Sequence, residues 1–236
     1  MRKKKRTSPS QNMNANLLAD PIEAGNRLSE LGLSKEQLCE GIDAMVGARA
    51  SCTENDPPAT PGFTSWSSGI RRMREVLILD GWEKCDDDQI PSVYNRELNI
   101  KLVVCNTDEG TGLTDSMPQQ RSRKGPGTEK TVSANQGSLG DILNSTLNGK
   151  ALKIVPFSKP SASGGAVSWY LCVYDEGDSL RAELSCPSDI ENGFFKGFYE
   201  RILLVGKDDN YKGIRLRQDD PLDDSGFEIN VSKKQS

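Results

Sequence analysis

The stretch that decides the fold runs from residue 166 to residue 186 and reads AVSWYLCVYDEGDSLRAELSC. Its first half alternates in the manner of a β-strand, with Trp169, Leu171 and Val173 on one face. DEGD, at 175–178, is typical of a turn, and the second half alternates again. There the apolar face holds Leu180, Ala182, Leu184 and Cys186, and the polar face holds Arg181, Glu183 and Ser185. The stretch therefore predicts a β-hairpin.

The segments around this hairpin predict helices first and mostly strands later. Asp20 and Ser34 are typical helix N-caps, so we expect a short helix after each, and a third apolar stripe at helical spacing lies in 64–82. Further strands are expected in GWEKC (81–85), NIKLVVC (99–105), LKIVPF (152–157), YERILLVG (199–206), GIRL (213–216) and FEINV (227–231), and a short helix in SLGDILNSTLNGK (138–150). This order predicts an α+β fold, an N-terminal helical segment followed by a mainly antiparallel β-sheet covered by one or two helices.

Local composition and turn-forming Gly and Pro residues divide the chain into segments. We expect a disordered basic tail at 1–16, a helical hairpin at 17–56, an α+β domain at 57–231 with a long loop at 106–137, and a short tail at 232–236.

The composition excludes several kinds of chemistry. The chain has 236 residues and no histidine, so a Ser-His-Asp triad, a Cys-His dyad and a histidine-based zinc site are impossible. The six cysteines show no C-x-x-C spacing, and we interpret them as reduced core residues. The net charge of −4 lacks the basic balance of a nucleic-acid-binding domain. No apolar run approaches the ~18–20 residues of a membrane helix, and we expect a cytoplasmic protein.

The long loop is the first candidate binding surface. Residues 106–130 read NTDEGTGLTDSMPQQRSRKGPGTEK, with acidic residues at the start and basic residues at the end. Glycine-rich turns with nearby lysines can present N–H groups and charge to an anion. A second basic group lies on the third helix, off its apolar stripe. The predicted binding residues are Arg71, Arg72, Arg74, Arg121, Arg123, Lys124 and Lys130.

An enzymatic alternative uses the acidic residues. Asp108 and Glu109 follow a strand, and together with Glu183 they could converge as the catalytic acids of a His-free metal-dependent nuclease or phosphoesterase. Mg²⁺ would then be the cofactor, with Asp108 and Glu183 as its ligands; otherwise no cofactor is expected. A PD-(D/E)xK nuclease would carry lysine at 185, where this chain has Ser185. Arg181, Glu183, Glu200 and Arg201 also fit an ion-pair ladder between neighbouring strands.

A second alternative is DNA binding by the N-terminal helical hairpin. The join ELGLSKEQL, at 30–38, has the length of a helix–turn–helix connection. The second helix carries several acidic residues, however, which favours a plain hairpin on the core.

Two stretches also carry a resemblance. SSGIRRMREVLILDGWEK with NIKLVVCNTDEGTG and RKGPGTEKTVSANQ, and LRAELSCP with ERILL, are similar to uncharacterised bacterial proteins associated with plasmids, phages or defence islands. The resemblance covers about 65–205 and implies no activity. Our leading expectation is a non-enzymatic accessory or adaptor protein of such a system, binding a protein partner or nucleic acid through its charged loops, with no membrane partner.

Overall fold

A computed structural model describes residues 15–146, 165–176 and 179–206, without the side chains of 137–146. The helices are α1 (Pro21–Glu30), α2 (Lys35–Ala50), α3 (Thr60–Leu77) and α4 (Pro126–Thr146). The strands are β1 (Asn16–Leu18), β2 (Glu83–Cys85), β3 (Ser92–Asn95), β4 (Ile100–Asn106), β5 (Val167–Glu176), β6 (Ser179–Glu191) and β7 (Phe194–Val205). The expected α+β fold is confirmed.

The seven strands form one sheet in the order β1-β7-β6-β5-β4-β3-β2. Only β1 with β7 and β4 with β5 run parallel, so the sheet is mainly antiparallel, as predicted. The hairpin of β5 and β6 lies at its centre, with Tyr174 opposite Arg181 and Cys172 opposite Glu183. Because side chains alternate along each strand, this register fixes which residues meet on each face.

The first face of the sheet carries α1, α2 and α3. The predicted apolar faces of the hairpin are confirmed, since Trp169, Leu171 and Leu184 are buried in one cluster with residues of these helices. Asp20 caps α1 as predicted, accepting hydrogen bonds from the N–H groups of two residues in its first turn. Ser34 caps α2 in a reciprocal capping box. The N-terminal helices therefore share their core with the sheet.

The second face carries α4 and the segment from residue 107 to residue 125. Val132 of α4 is buried with Tyr170 and Phe195 of the sheet. Asn135 accepts a hydrogen bond from the backbone N–H of Ser168 at 2.7 Å and donates to its carbonyl at 3.1 Å. The helix begins at Pro126, which corrects the predicted loop at 106–137: the loop ends at residue 125.

Several expectations fall on residues outside those described. They are most of the basic tail at 1–16, the strands expected at 152–157, 213–216 and 227–231, and the tail at 232–236. Asn16, at the end of the predicted tail, begins β1. No helix within the described ranges is long and apolar enough to cross a membrane.

Candidate functional site: a fixed charged loop and the cavity beside it

The segment from Thr107 to Gly125, named the charged loop below, is held by its own hydrogen bonds. The Asp108 carboxylate accepts from the backbone N–H groups of Gly110 at 3.1 Å and Gln119 at 2.9 Å. The Thr111 hydroxyl is 2.7 Å from the hydroxyl of Thr107. Thr107 and Thr111 are both fully buried. These bonds close the loop on itself, in the manner of a compact surface loop packed by its own side chains.

Further bonds attach the charged loop to the sheet. Gln119 donates to the Phe195 carbonyl at 2.7 Å, and Gln120 accepts from the Phe195 N–H at 3.0 Å. The Lys124 N–H donates to the Gly193 carbonyl at 3.0 Å. The length of the loop and its lack of periodicity are typical of a mobile segment. Instead two of its side chains bond to β7, and the backbone N–H of Lys124 bonds to the turn that precedes β7.

The strongest attachment is a buried ion pair. Arg201 of β7 grips the Glu183 carboxylate of β6 with two hydrogen bonds, of 2.8 and 2.6 Å, and both side chains are almost completely buried. Glu183 also accepts from the Ser185 hydroxyl at 2.5 Å and the Gly112 N–H at 2.8 Å. Arg201 donates further to the carbonyls of Ser116 and Leu113. The ion pair therefore attaches the charged loop to β6 and β7 through hydrogen bonds to Gly112, Leu113 and Ser116.

This geometry gives the predicted acidic residues separate roles. Glu183 accepts hydrogen bonds from four donors and has no exposed surface. Its pairing with Arg201 of the neighbouring strand agrees with the predicted ion-pair ladder. Asp108 shapes the loop, and Glu109 is exposed to solvent. Among the side chains that the structure describes, no three His, Cys, Asp or Glu residues are grouped so that they could hold a metal ion.

A cavity of about 300 Å³ lies where the charged loop meets the first turn of α4. Trp66 of α3 and Tyr170 of β5 contribute aromatic surface, and Lys124 contributes the positive charge. Lys124 forms no ion pair with any described residue, although Asp88 stands at the same cavity. A charge in a partly enclosed cavity is less screened by water than one on an open surface, so it attracts an oppositely charged group more strongly.

The thiol of Cys105 and the phenol of Tyr170, which line the cavity, are held neutral, and so is the neighbouring thiol of Cys172. Burial raises the pKa of the Cys105 thiol, although the neighbouring Lys124 acts in the opposite direction. Burial and repulsion from Cys105 likewise raise the pKa of Cys172, which faces it across β4 and β5. Burial also raises the pKa of the Tyr170 hydroxyl. At neutral pH these groups keep their protons, and a protonated thiol is a poor nucleophile. The floor is suited to packing against a ligand.

The structure separates the predicted basic residues into two sets. Arg71, Arg72 and Arg74 lie on α3 and not at the cavity. Arg71 is exposed, with Glu75 at 3.9 Å, and Arg72 is paired with Glu75 and Glu40. Arg74 connects α3 to β2 and β3, because it pairs with Asp86 at 2.5 Å and donates hydrogen bonds to the carbonyls of Cys85 and Ser92.

The second set surrounds the charged loop. Lys130, on α4, pairs with Asp88 at 2.8 Å, so both stand near Lys124. Arg123 is exposed and forms no ion pair among the described residues. Arg121 is held inward by the Thr107 carbonyl, at 3.0 Å, and by a carboxylate of β5. Arg123 and Lys124 are therefore the loop cations without an acidic partner in the described structure.

The sequence favours core packing for Trp66 and Tyr170 and does not predict that they line a cavity. Trp66, Tyr170 and Lys124 come from three distant segments, and along the chain no aromatic residue is interleaved with the basic run. The signal that existed was indirect: the helical stripe of α3 places Trp66 on the side of the helix that meets the sheet.

A larger cavity of about 1030 Å³ lies between α1 and Gly112–Asp115. It contains none of the predicted binding residues, and Gly206, at the end of a described range, forms part of its wall. We prefer the smaller cavity because an unpaired cation and two aromatic rings converge there.

Comparison of the chain with protein-family models, with curated proteins and with solved structures gave no match. The resemblance to plasmid- and phage-associated bacterial proteins therefore stays a prediction.

Proposed function

We propose that this chain is a binding module that recognises a segment of a protein partner. The segment carries an acidic side chain beside a large apolar one, and the cavity at Lys124 receives it. The observation that carries the proposal is the ammonium of Lys124, which pairs with no carboxylate among the described residues, in a cavity lined partly by Trp66 and Tyr170. An acidic group would meet the charge, and the apolar group would pack on Trp66 and Tyr170.

The surroundings favour a protein over nucleic acid. The chain carries a net charge of −4, whereas a domain that binds nucleic acid usually carries a marked excess of positive charge. Phe63 is 63% exposed and its ring lies 5.8 Å from that of Trp66, which extends the apolar surface beyond the cavity. A volume near 300 Å³ is at the lower end for ligand pockets and fits one or two side chains.

The fixed backbone of the charged loop supports the same function. A loop that is already ordered loses little conformational freedom when a partner binds, so more of the contact energy appears as affinity. The bonds to Phe195 and Gly193 hold Lys124 in place before any partner arrives.

The proposal does not extend to catalysis, because Glu183 is enclosed and the thiols near the cavity are held protonated. The setting in mobile-element or phage-defence biology, and the cytoplasmic location, stay predictions from the sequence. DNA binding by α1 and α2 also stays a prediction; Leu38, Ile42 and Met45 of α2 are committed to the core.

A peptide selection tests the proposal. A displayed random-peptide library is selected on the full chain, and the affinities of the enriched peptides are measured by calorimetry. We expect peptides with Asp or Glu next to an aromatic or large aliphatic residue, and a loss of affinity of about tenfold or more in Lys124→Glu. Arg71→Glu is the matched control, because it makes the same charge change on an exposed arginine of α3 and should bind normally.

Two results would contradict the proposal. One is enrichment of peptides that lack acidic residues or bind Lys124→Glu as well as the wild type. The other is binding of labelled single-stranded DNA or RNA that is lost in Lys124→Glu, which would make nucleic acid the ligand.

A further inference from the structure

A second cationic centre lies at the carboxyl end of β5, around Arg181. This residue is 6% exposed, and its Nε atom is buried without a hydrogen-bond partner. Its guanidinium carbon lies 4.5 Å from the centroid of the Tyr174 ring, and Tyr174 is opposite Arg181 in the β5–β6 register. No carboxylate within the described ranges pairs with it.

A buried, unpaired guanidinium is unusual. A buried lysine can lose its proton, but an arginine keeps its charge in proteins, so burial cannot be relieved by neutralisation. The ring of Tyr174 compensates part of the lost hydration through its π-electrons. Its buried Nε donor lacks the acceptor that buried polar groups normally have. Arg201 differs from Arg181 in this respect, because it donates two hydrogen bonds to Glu183 and two to carbonyls of the charged loop.

The neighbourhood keeps an excess of positive charge. Arg121 lies 5.7 Å from the same ring, and its charge is met by Glu176 at 2.5 Å. Two guanidinium groups therefore share one aromatic ring, and the one carboxylate recorded beside them, that of Glu176, pairs with Arg121. Gly112 covers the stem of Arg181 so closely that a Cβ atom there would lie 3.0 Å from the Cβ of Arg181. The loop thus encloses the stem and limits the ways in which the head group can reach water.

We propose that Arg181, with Tyr174 and Arg121, forms an oxyanion-binding site at the carboxyl end of β5, for the phosphate or carboxylate group of a ligand. The planar guanidinium of Arg181 matches two oxygens of such a group and binds them side by side. Arg121 adds a second charge at the rim. This site is distinct from the cavity at Lys124, and the inference does not depend on the function proposed above.

Thermal denaturation with simple anions tests the site. The midpoint of the full chain is measured against rising sodium phosphate or sodium acetate, with sodium chloride at matched ionic strength as reference. We expect a saturating rise in the wild type, as ligand binding to the native state requires. In Arg181→Met the saturating rise should vanish, while the midpoint in chloride stays level or increases, because an unpaired buried charge is gone. Arg71→Met is the matched control and should retain the rise.

The two anions separate the two sources. A rise with phosphate alone assigns a phosphate group, a rise with acetate alone assigns a carboxylate, and a rise with both supports the general site. The proposal is overturned if neither anion gives a saturating rise, or if Arg181→Met keeps it. If that variant does not fold, nuclear magnetic resonance of the wild type decides: saturable shifts confined to the Nε–H signals of a few arginines support the site, and uniform or absent shifts overturn it.

Discussion

Replacing Glu183 by glutamine should destabilise the protein more than almost any other isosteric change. The variant keeps the size of the side chain but leaves Arg201 charged and 4% exposed, without a counter-ion. One oxygen becomes an NH₂ group, and in either orientation that group faces a donor of Arg201, since Nε bonds one oxygen and Nη2 the other. Breaking a buried ion pair from one side costs about 3–5 kcal/mol.

The assay is thermal denaturation followed by circular dichroism at pH 7. For a chain of this size 1 kcal/mol corresponds to about 2–4 °C, so Glu183→Gln should lower the midpoint by about 6–20 °C. The control is Glu83→Gln, which removes one side of an ion pair with Arg96 that is open to water and should leave the midpoint nearly unchanged. A fall in Glu183→Gln no larger than that of the control would refute the reasoning.

A double variant separates the pair from its surroundings. Arg201→Met removes the same pair from the other side and also frees the carbonyls of Ser116 and Leu113. Residues that share one interaction do not lose stability additively. Glu183→Leu combined with Arg201→Met should therefore cost clearly less than the sum of the two single changes. Full additivity would show that the pair is not a unit.

Two further predictions concern the backbone and the thiols. Gly112→Ala should destabilise the protein by at least about 1–2 kcal/mol in urea titrations, since Gly112 has φ +70° and a Cβ there would lie 2.8 Å from the Val205 carbonyl. Gly47→Ala, in an open position on α2, should instead stabilise it by roughly 0.5–1 kcal/mol; equal effects would contradict the loop geometry. Burial raises the pKa of Cys105 and Cys172 in the folded state above the pKa of about 8.5 that a thiol has in the unfolded chain. The free energy of unfolding therefore keeps its full value below about pH 8.5. Above that pH it decreases by about 1.4 kcal/mol per pH unit per thiol. Denaturant titrations under reducing conditions should therefore show a shallower alkaline slope in Cys172→Ala, and an unchanged slope would count against this explanation.

The hairpin and the helix caps could be predicted because their signals are local. Alternation of apolar residues placed Trp169 and Leu184 on the buried face, and the capping residues of α1 and α2 were legible within four positions. Each signal depends on neighbours in the chain, and the structure keeps those neighbours together.

The start of α4 was missed because its buried face is mostly polar. Thr128, Val132 and Asn135 are buried at helical spacing, yet only one of them is apolar. Asn135 is satisfied by the backbone of Ser168, a partner 33 positions away. A periodicity of hydrophobic residues cannot reveal such a face.

The state of the charged loop was beyond the sequence for a similar reason. Its length and composition are typical of a mobile segment, and the bonds that fix it come from distant residues, above all Arg201 and Phe195. The sequence did predict that opposite charges would meet between strands. It could not show that Arg201 pairs with Glu183, or that Arg181, on the same strand as Glu183, meets the ring of Tyr174 and no carboxylate of the described ranges.

The central claim is that the charged loop is a fixed platform for recognition, and amide hydrogen exchange tests it most directly. Peptides covering 107–125 are followed by mass spectrometry in the wild type and in Glu183→Gln. Backbone N–H groups of this segment are donated within the loop or to the sheet, at Thr107, Asp108, Gly110, Thr111, Gly112, Gln119, Arg121 and Lys124. We predict exchange at least about 100-fold slower than in an unstructured peptide of the same sequence, with much of that protection lost in the variant. Exchange of the wild-type loop at the unstructured rate would contradict the account.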